Sequence, residues 1–285
     1  MKHALISVLD TSAQIDALYG QIWFLENGIP LGQVIVGTTG ADYYTGGYQN
    51  DILTGGAGAD VLSGGVGDDY ITGGADFDRL FGGFGNDTLY GGDGKIDELH
   101  GGAGDDFLVG SGILDGGRGN DVAYGGWFED FMTGGRGNDW LSGNDGTDTL
   151  YGGAGGDGLS GGYGSDLLSG GKGSDYLDGG EGNDGLYGGV GNDVLVGSSG
   201  NDTMTGGAGA DHFVFYTNNV EHSTSVITDF TAGDSLEFWT GAVSFDVNGN
   251  DVTVHAGATD VVVENVNFAD LLAGLYIYDD FYGKG

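Results

Sequence analysis

Apolar residues recur along this chain at a spacing of nine. Leu53, Leu62, Ile71, Leu80 and Leu89 form one series, and Leu141, Leu150, Leu159, Leu168, Leu177, Leu186 and Leu195 form a second. Each follows an aspartate by two residues and precedes a glycine by two. The unit is G-G-x-G-x-D-x-U-x with U apolar, as in GGAGADVLS from Gly55 and GGYGSDLLS from Gly161. A nine-residue period fits neither a 3.6-residue helix nor plain alternation, and it marks a tandem repeat. Glycine is depleted in strands and permits positive φ, so GGxGxD reads as a turn. The remaining x-U-x reads as a minimal strand with U inward and its neighbours outward. Two units then make an eighteen-residue coil of turn, strand, turn, strand, and coils stack at the ~4.8 Å inter-strand distance.

The pattern divides the chain into three zones. Residues 1–36 carry ordinary apolar sequence, including Ile22-Trp23-Phe24-Leu25, and are expected to cap the first coil. Residues 37–214 hold twenty units, of which eighteen keep the aspartate in register and twelve keep all three glycines as well. Gly91–His100 has ten residues and Gly110–Asp115 has six, so residues 91–115 form an irregular junction, expected to interrupt any ladder built on the repeat. Residues 215–285 lose the glycine density. They read as strands at Thr224–Phe230, Ser235–Trp239, Asp251–His255 and Asp260–Asn265, followed by a short helix near Phe268–Ala273. These strands are expected to cap the other end.

Composition adds a conflict to this picture. The 285 residues include 66 Gly, one Pro and no Cys, with 43 Asp+Glu against 7 Lys+Arg and a formal charge of −36. Nucleic acid is excluded as a partner, because no basic footprint meets phosphate. Such acidity argues for disorder, whereas 39% apolar residues at fixed spacing argue for a core. A bound cation resolves the conflict. Aspartates eighteen apart lie one above the other in successive coils, and carboxylates that close repel unless a cation sits between them. Calcium fits, taking 6–8 oxygens at ~2.3–2.6 Å from carboxylates and carbonyls. Magnesium prefers a small octahedron and keeps its waters, and zinc prefers the His and Cys that these turns lack.

The candidate ligands are Asp42, Asp51, Asp60, Asp69, Asp78, Asp87, Asp106, Asp121, Asp130, Asp139, Asp148, Asp157, Asp166, Asp175, Asp184, Asp193, Asp202 and Asp211. Pairs eighteen apart number four before the junction, from Asp42/Asp60 to Asp69/Asp87, and nine after it, from Asp121/Asp139 to Asp193/Asp211. That makes about thirteen Ca²⁺ sites, whose +26 would bring the charge from −36 to −10. Three turns depart from the pattern at the fourth position, with Gln49 before Asp51, Asp76 before Asp78 and Phe128 before Asp130. Asp tolerates the left-handed region, whereas Phe there is costly.

The repeat resembles the RTX (repeats-in-toxin), or hemolysin-type, calcium-binding family over about residues 37–240. The resemblance implies a right-handed parallel β-roll whose calcium ions are held by aspartates and main-chain carbonyls of stacked turns. It also implies export through a type I ABC secretion apparatus with an uncleaved C-terminal signal. The segment after the last repeat is similar to the flank DxITDFxxGxDxI of such modules, through Val226-Ile227-Thr228-Asp229-Phe230 and Asp234, which adds Asp229 and Asp234 to the candidates. The tail Tyr276–Tyr282 mixes acidic and apolar residues, as those signals do.

Other motifs dissolve into the repeat. Gly158-Leu159-Ser160-Gly161-Gly162 matches G-x-S-x-G of hydrolases but is two units read across their junction, without a strand–elbow–helix context. His3, His100, His212, His222 and His255 form no spaced zinc cluster. Asn86-Asp87-Thr88 and Asn201-Asp202-Thr203 are sequons produced by the repeat. No apolar run reaches the ~18 residues of a membrane helix, and Ala4–Leu9 is too short for a signal-peptide core. The expectation is a non-enzymatic, secreted, extracellular calcium-binding roll. The outward aromatics Tyr90, Tyr124, Trp140, Tyr151, Tyr176 and Tyr187 leave open a carbohydrate-binding or adhesive role at an extracellular polysaccharide or cell surface. A further alternative is a non-catalytic part of a larger RTX enzyme or toxin.

Overall fold

The computed structural model describes residues 31–93, 96–216, 223–239 and 243–278. They form parallel strands in coils, as in a β-roll, within two compact units, Met1–Val122 and Ala123–Gly285. In the first unit one sheet runs Leu31–Val36, Asn50–Ala57, Tyr70–Ala75, Thr88–Gly92 and Phe107–Val109. The facing sheet runs Tyr43–Gly47, Val61–Val66, Arg79–Phe84, Asp97–Ala103 and Gly112–Arg118. Consecutive strands thus alternate between sheets, which is the coil that the nine-residue unit predicts. The predicted N-terminal cap lies outside the described residues except for Leu31–Val36, which pairs in parallel with Asn50–Ala57.

The second unit repeats the arrangement. Trp140–Asp145, Gly158–Tyr163, Tyr176–Glu181, Val194–Val196 and His212–Tyr216 form one sheet, continued by Ser235–Trp239 and Leu275–Tyr278. Phe131–Arg136, Thr149–Ala154, Leu167–Lys172, Gly185–Val190, Thr203–Ala208 and Ser223–Ile227 form the other. That sheet ends in an antiparallel trio, Thr259–Val263, Asp251–Ala256 and Val243–Asn248. The helix Phe268–Ala273 forms where the sequence places it, capped by the Asn267 side chain, which accepts from the Ala269 N–H.

The core of each compact unit is a column of U residues. Every U residue of the two series above is fully buried, and burying one leucine contributes roughly 1.5–3 kcal/mol. The column survives the irregular junction. Leu80 pairs with Leu99 and Leu89 with Leu108 at a step of nineteen, and Leu99 pairs with Leu114 at a step of fifteen. Extra and missing residues are absorbed between strands, so the inward face keeps its register.

One expectation is corrected. The strands are mostly six residues, not three, and take in the glycine pair and the residue after it, as in Val61–Val66. The second glycine of the pair, such as Gly65 at φ 107°, lies in the extended region of positive φ. There a glycine continues the parallel ladder, as in the pairing of Gly65 with Gly83, where other residues would be strained. The turn proper is the shorter G-x-D that remains, as in Gly67-Asp68-Asp69. Among the described residues no helix is long and apolar enough to cross a membrane.

Candidate metal-binding turns

The unit Gly161–Ser169 shows how the sequence builds a turn. Gly164, at φ 143°, turns the chain so that Asp166 points back under Gly161. Oδ1 of Asp166 accepts the main-chain N–H of Asp148, one coil earlier, at 2.8 Å. The N–H of Asp166 donates in turn to Oδ1 of Asp184 at 2.8 Å. The same relay joins Asp42, Asp60 and Asp78, and also Asp51, Asp69 and Asp87, at 2.7–2.8 Å. In the second unit it joins Asp130 to Asp148, and Asp139, Asp157, Asp175, Asp193 and Asp211. Each carboxylate therefore spends one oxygen on a neighbouring coil.

The other oxygen is the chemically informative one. Oδ2 of Asp60, Asp69, Asp78, Asp87 and Asp106 in the first unit has no hydrogen-bond partner and is buried. The same holds for Asp148, Asp157, Asp166, Asp175, Asp184 and Asp193 in the second. These residues are at most 3% exposed. An unpartnered buried carboxylate oxygen is costly. It is also aimed. A Cβ built on Gly161 would collide with Oδ2 of Asp166 and lie 2.5 Å from the carbonyl oxygen of Gly179, one coil on. Gly55, Gly73, Gly82 and Gly152 stand in the same relation to Asp60, Asp78, Asp87 and Asp157 and to a carbonyl at 2.6–2.8 Å. A carboxylate oxygen and a carbonyl oxygen thus converge where the glycine lacks a side chain. Such a donor set fits a hard cation. Among the described residues no three His, Cys, Asp or Glu side chains cluster to hold a metal, so carbonyls would complete the shell.

Electrostatics agree. Burial, ahead of any neighbouring charge, pushes Asp69, Asp78, Asp87, Asp148 and Asp184 up to about 7 and Asp106 to about 8. Asp121, Asp157, Asp175, Asp202 and Asp211 rise to about 6, again chiefly through burial. Each carboxylate is held where its charge is disfavoured and a cation would restore it.

Some candidates sit differently. Oδ2 of Asp42 accepts the N–H of Thr38 at 2.6 Å and its hydroxyl at 3.0 Å, and the Thr38 N–H holds its carboxyl below the usual range. Oδ2 of Asp130 accepts the N–H of Gly126 at 2.7 Å. Oδ2 of Asp234 accepts the N–H and hydroxyl of Thr231 at 2.6 and 3.1 Å, while Oδ1 continues the relay from Asp211. Asp229 accepts the N–H groups of Gly206 and Gly207, both at 2.8 Å. Oδ2 of Asp202 accepts the Ser225 hydroxyl at 3.3 Å. Asp51 keeps a buried unpartnered Oδ2 despite Gln49, its Oδ1 taking the N–H of Gln33. Asp76 adopts φ 77°, so its turn closes as a glycine's would. Asp121 and Asp139 belong to different units, and their pairing remains an expectation.

The expected interruption at the junction is corrected on one strand of the relay. Asp87 donates to Asp106 and Asp106 to Asp121, at 2.7 and 2.8 Å. On the other, Asp78 donates at 3.0 Å to Asp97, a residue the nine-residue count passes over. Asp97 is fully buried, and its own N–H meets the Ser111 carbonyl at 2.6 Å, where the relay ends. Counting back two residues from Leu99 would have found it. A second ladder also went unread. Oδ1 of Asn50, Asp68, Asn86 and Asp105 accepts the N–H of Asp68, Asn86, Asp105 and Asn120, at 2.7–3.0 Å. It runs in the opposite direction to the first and employs the fifth residue of alternate units.

Remaining features are accounted for locally. His100, His212 and His255 each lie against carboxylates, at 3.1 Å from Glu98, 2.8 Å from Glu237 and 2.7 Å from Asp260. His3 and His222 lie outside the described residues. Ser160 lies within the strand Gly158–Tyr163, not at a strand-to-helix elbow. Of the outward aromatics, Tyr124, Trp140, Tyr151, Tyr176 and Tyr187 are exposed, and Tyr90 is half-buried between Tyr70 and Phe107.

Comparison with known proteins bears on these turns directly. A family model for the RTX calcium-binding nonapeptide repeat (4 copies) matches residues 36–71, 63–95, 93–123, 109–127, 124–159, 160–195 and 187–215. No curated protein matches. Solved structures do, among them an extracellular lipase, LipA, from Serratia marcescens. It is 18% identical over 56% of this chain and 40% of the lipase chain, with a TM-score of 0.21. The chain thus spans about two fifths of that lipase's length.

Proposed function

This chain belongs to the family of RTX calcium-binding nonapeptide repeat proteins, and from that premise we propose that it is an exported, non-catalytic roll that folds on meeting calcium outside the cell. The observation that carries the reading is the buried unpartnered Oδ2 aimed at a carbonyl across a glycine, repeated turn after turn. Seven Lys and Arg cannot neutralise 43 Asp and Glu, so the side chains do not supply the missing charge. Calcium, when bound, supplies positive charge and room for six to eight oxygens.

In the calcium-poor cytosol the aspartates repel and the chain stays open, which suits threading through a type I exporter. Outside, extracellular calcium modules bind with Kd of ~10⁻⁴–10⁻³ M, so millimolar calcium closes the turns. Residues 215–285 serve as end cap and export signal in this scheme. Calorimetric titration with CaCl₂ and MgCl₂ tests the binding half, with saturable heat expected for calcium alone. Co-expression with a type I exporter, with and without residues 215–285, tests the export half. Secretion that persists without that segment overturns it.

A second reading is favoured by one outward column. Tyr216, Trp239 and Tyr278 follow one another at 6.5 and 5.2 Å on adjacent strands, a surface on which sugar rings stack. Loss of polysaccharide retention on Trp239→Ala would support an adhesive role. Retention equally weak in both proteins would end it.

A further inference from the structure

The turns fall into two classes by what holds the outer carboxylate oxygen. In the first, represented by Asp166, Oδ2 is buried and has no partner. The glycine gap that faces a carbonyl is common to both, since Gly125 stands to Asp130 and the Gly143 carbonyl as Gly161 does to Asp166 and the Gly179 carbonyl. In the second, a main-chain N–H three or four residues earlier closes on that oxygen. Thr38 closes on Asp42 at 2.6 Å, Gly126 on Asp130 at 2.7 Å and Thr231 on Asp234 at 2.6 Å. An amide proton on the outer oxygen does locally what a cation would do, since it offsets charge at the same atom. An N–H directed there also opposes an approaching cation.

The sequence explains the exchange at the Asp130 turn. Regular turns carry glycine at the fourth position with positive φ, as Gly137 at 129° and Gly164 at 143°. Here that position is Phe128, and neither Phe128 nor Gly126 has a positive φ. A phenylalanine would be strained in the left-handed region. The turn therefore takes another path, and along it Gly126 N–H reaches the carboxylate. At Asp42 and Asp234 threonine donors, Thr38 and Thr231, add a hydroxyl to the amide, at 3.0 and 3.1 Å.

We infer that the turns of Asp42, Asp130 and Asp234 are self-closed and take no calcium, although the repeat and its flank nominate all three as ligands. This rests on the calcium reading above and sharpens it. Occupancy follows the state of the outer oxygen, and the Asp130 turn is a metal-free turn within the array. Its tip instead presents Trp127 and Phe128, 82% and 47% exposed.

Crystals of the full chain grown in calcium, measured at a wavelength where calcium scatters anomalously, decide the matter without any variant. Peaks are expected beside Oδ2 of Asp166 and its class, with none at coordinating distance from Oδ2 of Asp42, Asp130 or Asp234. A peak at any of those three overturns the inference. Absence of peaks at every turn overturns the calcium reading itself, which separates the two failures. In solution, native mass spectrometry of the calcium-loaded chain counts ions. Asp166→Asn is expected to lose at least one, and Asp130→Asn none. Equal losses in the two variants also overturn the inference.

Discussion

Replacing Gly161 with alanine puts a methyl group into the space where Oδ2 of Asp166 and the carbonyl of Gly179 converge. The new carbon would stand 2.5 Å from that carbonyl, about 0.9 Å short of the 3.4 Å at which ordinary contact begins. The backbone must give way, and overpacking of this kind costs roughly 1–3 kcal/mol. The ion at that turn is lost as well. A site at a free ligand concentration of 100 times Kd contributes about 2.7 kcal/mol by mass action. Together the two effects amount to about 4–6 kcal/mol in saturating calcium. They separate on dilution of the ion. At calcium equal to Kd the binding contribution falls to about 0.4 kcal/mol, leaving mainly the steric cost. Urea unfolding of both proteins at the two calcium levels, followed by circular dichroism, measures the difference. Gly40→Ala is the control, because no atom lies within 4 Å of its added carbon, and it should stay within about 0.5 kcal/mol of the wild type. A Gly161→Ala protein that keeps the wild-type ion count, with a stability loss that ignores calcium, would refute the reasoning.

Other outcomes follow from the same geometry. Asp69, Asp78 and Asp87 have folded pKa values of about 7, against roughly 3.9 in an unfolded chain. Such raised groups stabilise the calcium-free fold below about pH 4, and that stabilisation is lost as pH rises through 7. In chelator, circular dichroism should therefore show more β-structure at pH 5 than at pH 8. Leu159→Ala, at a fully buried position, should cost about 2–5 kcal/mol in calcium. Tyr163→Ala, at an exposed one, should stay within about 0.5 kcal/mol in the same unfolding assay. Magnesium at equal concentration should leave the chelator spectrum unchanged, because it keeps its waters rather than accept carbonyls from two coils.

Much of this was legible in the sequence because a solenoid writes its period directly. The leucine column, the coil of two units and the stacking of aspartates eighteen apart all follow from residue spacing. What escaped depended on how the chain absorbs irregularity. Asp97 was missed because the count ran forward from Gly91, whereas the fold keeps register on Leu99, the residue that fills the core. The length of the strands was misread because glycine propensity describes isolated residues. In the roll, Gly65 pairs with Gly83 at a φ that suits glycine alone. The strand Val243–Asn248 escaped through its exposure, although the Gly249-Asn250 turn after it, with Gly249 at φ 71°, is a hairpin signal. The Asp130 turn was half legible. Phe128 announced a departure, but the closing of Gly126 on the carboxylate is a matter of backbone path.

The central claim is that calcium completes these turns and thereby folds the chain. Far-UV circular dichroism of the full chain at neutral pH, titrated with calcium from a chelated start, tests it most directly. The expected result is little β-signal in chelator and a cooperative rise at about 10⁻⁴–10⁻³ M calcium, as for extracellular calcium modules. A full β-spectrum in chelator at pH 7.5, unchanged by millimolar calcium, would contradict it.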